Sequence, residues 1–362
     1  MNKEQNQLEQ SHLTKEKTKT FIAEIDQIPL SIKIQTLINR YNETALHLFA
    51  EPRKEFIWKW LKSGVEQTML DCVDQELKEK TSELIQESIA VVVFIDDIVD
   101  QMQEERFLTD ALAIVGNGEE EQKNVLSKQT DSFKKDYLVL IKDAWNDLTL
   151  ELRNLPRFMD FKPDLKEAYG ELWKAFWQAL DLKTFAKHQG TDLLHLGDED
   201  TIGKVEKRLS YNMHIVIGNM IMLMGSSKFE KIELKSALEF FLYDQVAGNL
   251  ENDWHTFPIE LKQGDFASAL ILYAIDKGYI TAEEIEQIAA HPENYNGLQK
   301  LIKTVREKCE DYIRDKRLRL LEMRAKIGRE IKSFDAGEAI RRSFAAHKNM
   351  HEQLGNFIAL LK

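Results

Sequence analysis

The chain has 362 residues, 43% of them hydrophobic and 30% charged, with a net charge of −12; this is the profile of a globular protein and excludes a disordered one. The negative balance argues against nucleic acid or an anionic membrane surface as a partner, since both require a basic footprint. Two cysteines, Cys72 and Cys309, make no disulfide framework, and with no signal-like or membrane-spanning apolar run a cytoplasmic protein without membrane insertion is expected.

Six prolines and 16 glycines are sparse punctuation in a chain dominated by Leu, Lys, Glu, Ala and Ile. Long helices follow from that, and the fold class expected is all-α. Residues 1–20 are charged and unpatterned and are expected to be a flexible N-terminal lead-in; no linker or change of composition marks a domain boundary within residues 21–362, which allows one helical domain. A helix is predicted from Leu30 to about Leu48, and Pro52 suits the first turn of the next, which carries Trp58 and Trp60. The stretch from Glu66 to Glu105 reads as helical almost throughout, as does Glu119 to Leu155, which Pro156 closes. Pro163 opens a further helix with Trp173, Phe176 and Trp177. After the polar break Gly197-Asp198-Glu199-Asp200, helices are predicted from Thr201 to Met224, over Glu233–Asn249 and over Phe266–Asp276. Thr281 and Glu284 are spaced as a capping box, and the chain ends with helices over Asn296–Ile327 and Ala336–Leu361.

Within the third of these segments lies Ala90-Val91-Val92-Val93-Phe94-Ile95-Asp96-Asp97-Ile98-Val99-Asp100. The apolar run is too long for one face of a surface helix and reads as wholly buried. On a helix Asp96 and Asp100 stand one turn apart with Asp97 beside them, so three like charges share a patch that is costly unless something positive sits on it. A hard divalent cation such as Mg²⁺ takes oxygen ligands of this kind and is commonly shared with substrate phosphates. A solvated acidic face is the alternative. Far downstream, Asn252, Thr256 and Glu260 are spaced by four in Asn252-Asp253-Trp254-His255-Thr256-Phe257-Pro258-Ile259-Glu260. On a helix they form a second oxygen-only stripe, about 80° wide.

The two motifs in this order, some 150 residues apart, resemble those of the class I terpene synthases. The resemblance covers about residues 60–345 and implies a single α-helical bundle of the isoprenoid synthase type with a central apolar cavity. It implies that Asp96, Asp97, Asp100, Asn252, Thr256 and Glu260 hold Mg²⁺, three ions in that family, at the cavity mouth. It carries a diphosphate-sensing arginine onto Arg208 and the arginine of an Arg-Tyr pair onto Arg341 or Arg342, with Ser343 standing where the family has tyrosine. Phe94, two residues before Asp96, is expected to line the cavity, with Trp173 and Trp177 as further candidates. Pro258 falls inside the second stripe, where it removes a backbone donor and either kinks the helix or starts it near Thr256.

The implied reaction is Mg²⁺-dependent ionisation of a linear prenyl diphosphate, farnesyl or geranylgeranyl, followed by cyclisation of the carbocation to a terpene hydrocarbon or alcohol. A chain-elongating prenyl diphosphate synthase is a rival, although that family carries a second Asp-Asp-x-x-Asp where this chain has Asn, Thr and Glu. A helical interaction protein with merely solubilising acidic faces is another. Monomer and homodimer are both open at this stage.

Overall fold

The structure is a computed structural model that describes residue 20 and residues 22–49, 52–188, 213–263, 268–291 and 293–360. The predicted lead-in, Arg208, and the predicted start of a helix at Thr201 lie outside these residues. Among the described residues every regular element is helical. In chain order these include α1 (Ile32–Ala45), α2 (Glu55–Thr68), α3 (Lys78–Asp97), α4 (Glu105–Gly116), α5 (Glu119–Lys128), α6 (Ser132–Leu152) and α7 (Phe158–His188). They continue with α8 (His214–Met224), α9 (Leu234–Gln263), α10 (Ala269–Asp276), α11 (Ala282–Ala290), α12 (Tyr295–Gly328) and α13 (Ala336–Leu360).

Local chemistry accounts for the boundaries. Ser31 caps α1 by accepting the Ile34 N–H, and Asp131 caps α6 by accepting the N–H groups of Phe133 and Lys134, each satisfying donors that a helix start leaves orphaned. The Asp131 cap divides what the sequence presents as one helix over 119–155 into α5 and α6. The predicted capping box at Thr281 and Glu284 is present and opens α11. Pro163 does not start its helix; it is the sixth residue of α7, past the first turn, so the bond it would have donated to the Met159 carbonyl is lost. The predicted segment over 66–105 is interrupted, because α2 ends at Thr68 and the chain turns through a short 3₁₀ segment, Gln75–Leu77, before α3 begins.

Helices α3 and α8 are the centre of the fold. Leu84, Val91, Phe94 and Ile95 of α3 and Ile217, Met220, Ile221 and Leu223 of α8 are fully enclosed, as expected for helices apolar on nearly every side. Around them pack α2, α6, α7 and α9, while α13 bridges α2 and α9. A second apolar cluster lies between the C-terminal half of α9 and α10, α11 and α12, built on residues such as Phe257, Leu261, Ile285 and Val305. Helix α9 therefore belongs to both clusters, and it meets α12 along most of its length.

Candidate functional site

Helix α3 delivers Asp96 and Asp97 at its C-terminal end, and Asp100 follows in a turn of π-helix, Ile98–Met102, that closes on Gln103 at φ 54°. A helix C-terminus carries the negative end of the macrodipole, so three carboxylates there are doubly unfavourable without a cation. That cation is Arg53, on the segment leading into α2. Its Nε donates to Asp97 Oδ1 at 2.7 Å, its Nη2 donates to Asp96 Oδ2 at 3.0 Å, and Nη2 lies 3.5 Å from Asp100 Oδ2.

The three carboxylates are not equivalent. Asp97 is fully buried and accepts from Arg53 and Gln101 on one oxygen and from the Tyr41 hydroxyl, at 2.6 Å, on the other. Burial pushes its carboxyl above the ordinary range, and Arg53 and Tyr41 pull it back only in part. Burial likewise opposes the Arg53 charge, yet Asp97, Asp96 and Asp100 outweigh it and hold the guanidinium protonated. The Tyr41 hydroxyl in turn accepts the Arg53 backbone N–H at 3.0 Å. Asp97 is thus consumed as an anchor, with both of its oxygens hydrogen-bonded inside the protein. Asp96 and Asp100 keep side-chain exposures of 41% and 39%, so they are the two able to meet a ligand from solvent.

Phe94 does not line an open chamber. It is fully enclosed, stacked on Tyr41 with ring centroids 5.1 Å apart, and edge-on to Trp58 and Tyr137. Its phase on α3 turns it inward with Asp97. The half-buried residues sharing the Asp96 and Asp100 face are Ile89 and Val93, at spacings of four, three and four. Trp173 is likewise core, stacked on Tyr169 and Phe176, whereas Trp177 is half-buried.

The second stripe lies on α9, which runs without a break through Pro258. Asn252, Thr256 and Glu260 therefore share one face. The Thr256 hydroxyl lies 2.8 Å from both the Asn252 carbonyl and Glu260 Oε1; such back-bonding, two residues before the proline, also favours a bend. All three side chains are half-buried.

Both stripes reach the same end of the bundle. A Cβ on Gly225 would meet Thr81 and one on Gly218 would meet Ile85, so α8 runs antiparallel to α3. The short connection from α8 to α9, with Ile215 against Gln245 and Gly248, makes α9 antiparallel to α8 as well. At about 1.5 Å per residue, Asp96 projects about 8–12 Å past the level of Ile215, and the second stripe runs from about 6–10 Å (Asn252) to about 18–22 Å (Glu260) past it.

Arg341 and Arg342, expected near this end, are elsewhere. Arg342 donates to the carbonyl of Met69, just past the far end of α2, whereas Arg53 precedes α2; the 14 residues of that helix put the two about 21 Å apart. Arg341 is exposed and held bidentately by Glu338. What the structure brings to the acidic end instead is Arg53, together with Arg317 of α12, which grips the buried Glu251 with two hydrogen bonds at 2.5 and 2.7 Å. Residue 251 is the neighbour of Asn252. Neither arginine carries a spacing signal, because each meets its carboxylate across separate elements.

Among the described residues no cluster of three or more His, Cys, Asp or Glu side chains forms a ready metal cage. The donors fit the looser demand of Mg²⁺, which keeps several waters and binds through one or two carboxylates together with substrate phosphate. Asp96 and Asp100 form such a pair, and Asn252, Thr256 and Glu260 supply oxygen donors of the same hard class.

No protein-family model matches this chain, and no curated protein matches it in sequence. Among solved structures it is similar to isoprene synthase from grey poplar leaves (Populus x canescens), with 15% identity, a TM-score of 0.49, and coverage of 89% of this chain and 55% of that one. The chain spans about half the length of that enzyme.

Proposed function

We propose that this protein is a Mg²⁺-dependent lyase of the terpene synthase kind, acting on a linear prenyl diphosphate. The observation that supports the reading best is that two oxygen-rich helical stripes, 156 residues apart in sequence, project from the same end of one bundle. Bound Mg²⁺ would supply the Lewis acidity that draws off the diphosphate. Asp96 and Asp100 on one side, and Asn252, Thr256 and Glu260 on the other, would hold it. Arg53, and Arg208 by its resemblance, would add positive charge where the leaving group develops negative charge.

The carbocation left behind needs an apolar surface from which water is excluded. Ile89 and Val93, on the same face as Asp96, are placed to provide the part of that surface nearest the carboxylates. Phe94 acts at one remove, keeping α3 in place through its stack on Tyr41.

Incubation with the C10, C15 and C20 allylic diphosphates, without isopentenyl diphosphate, tests the reading. Release of pyrophosphate with an organic-soluble hydrocarbon or alcohol, dependent on Mg²⁺ and lost in Asp96→Ala, supports it. Absence of product from all three, or full activity in Asp96→Ala, overturns it; product only after adding isopentenyl diphosphate would assign chain elongation instead.

A further inference from the structure

The guanidinium of Arg53 has two differently constrained edges. The Nε edge is fixed: it is bonded to the buried Asp97, while the Arg53 backbone N–H and Asp97 are both tied to the Tyr41 hydroxyl. The Nη2 edge faces Asp96 and Asp100, both half-exposed, at 3.0 and 3.5 Å. Three carboxylates and one guanidinium leave a formal charge of −2 on this cluster, which a single divalent cation would cancel. Nη2 occupies Oδ2 of both carboxylates, and a cation bridging Asp96 and Asp100 would compete for them. A guanidinium nitrogen and a divalent ion cannot share them without strong repulsion at a separation of only a few ångströms.

We propose that Arg53 is an internal counter-cation that competes with the metal: its Nη2 edge holds Asp96 and Asp100 until a divalent ion arrives and is displaced from them, while its Nε edge stays on Asp97. The inference rests on the reading of Asp96 and Asp100 as metal ligands and goes beyond it. It explains how an acidic helix end stays folded before metal binds, and it makes the resting protein a weaker metal site than its carboxylates alone would be. Asp97, in this arrangement, is the anchor that keeps the displaced guanidinium close by.

The test uses the full chain and Mn²⁺ as the probe, followed by electron paramagnetic resonance in wild type, Arg53→Gln, Asp96→Asn and the double variant. Removing the competitor should tighten Mn²⁺ binding on the order of tenfold, the effect of losing one repelling charge at a partly exposed site. Asp96→Asn should weaken binding in either background. Unchanged or weaker binding in a folded Arg53→Gln protein overturns the competition while leaving the metal site intact. Binding unaffected by Asp96→Asn instead removes the metal reading itself, so the two failures are distinguishable.

Should Arg53→Gln fail to fold, arginine side-chain NMR of the wild type gives the same decision. The Arg53 signals, identified by their contact with Tyr41, should show the Nη groups changing on addition of Mg²⁺ while the Nε–H stays bonded. Nη signals that do not respond to a bound metal would refute the exchange.

Discussion

Asp97 and Asp96 are adjacent and chemically identical, yet their surroundings assign them different work, and substitution separates the two. Asp97→Ala removes the acceptor for Arg53 Nε, Gln101 and the Tyr41 hydroxyl at a fully enclosed position. Breaking a buried ion pair costs about 3–5 kcal/mol. Arg53 is 32% exposed and retains Asp96 and Asp100, so the lower value of about 3 kcal/mol applies. Asp96→Ala removes one arm of a half-exposed pair and should cost under about 1 kcal/mol. With an unfolding entropy of about 2.1 cal/mol/K per residue, 362 residues give about 0.76 kcal/mol/K. The expected falls in Tm are then about 4 °C and about 1 °C. Thermal unfolding followed by circular dichroism, in metal-free buffer, measures both. Equal destabilisation by the two substitutions, or a larger loss for Asp96→Ala, would refute the assignment of Asp97 as anchor.

Phe94→Ala should cost about 3–5 kcal/mol, because it empties the centre of an aromatic cluster, whereas Val93→Ala on the half-buried face should cost under about 1.5 kcal/mol; comparable losses would contradict the assigned faces. Burial raises the Glu87 carboxyl to about 7 despite its 2.8 Å contact with Lys33. A carboxyl held up in the folded state binds its proton more tightly there, so this group's contribution falls as pH rises from its ordinary 4.5 to about 7, by at most about 3 kcal/mol. Glu87→Gln should flatten that part of the stability profile, and a variant profile parallel to wild type would rule the effect out. The buried Asp244 experiences the reverse balance: burial raises its carboxyl, but Arg324 at 2.9 Å and His347 outweigh it and hold it at about 2. Its contribution is present above the ordinary 3.8 and is lost as pH falls towards 2. Asp244→Ala should cost about 3–5 kcal/mol at neutral pH by stranding the enclosed Arg324 charge, and a loss below about 1 kcal/mol would contradict that.

The helical class was legible because proline and glycine are rare and the long segments keep their apolar periodicity; α12 and α13 fall within a residue or so of the predicted spans. The breaks were less so. The turn after Thr68 contains neither proline nor glycine, and its geometry is held by contacts such as the Asp74 N–H with the Gly225 carbonyl, far away in sequence. Pro258 reads as a helix breaker on local grounds, yet α9 continues through it, since packing against α12 and α10 outweighs one lost backbone bond. At the candidate site, spacing alone revealed that 96 and 100, and 252, 256 and 260, share faces. Spacing could not show that Asp97 turns inward, because burial on α3 depends on what surrounds the helix on every side. It also could not find Arg53, whose contacts with the carboxylates depend on how α2 packs beside α3.

The central claim is that the two stripes hold metal jointly, and Mn²⁺ binding in the presence of pyrophosphate measures this most directly. Asp96→Asn and Asn252→Ala, 156 residues apart in the chain, should each remove bound Mn²⁺ from the ternary complex while helical circular dichroism persists. Full Mn²⁺ binding with pyrophosphate in either folded variant would contradict the account.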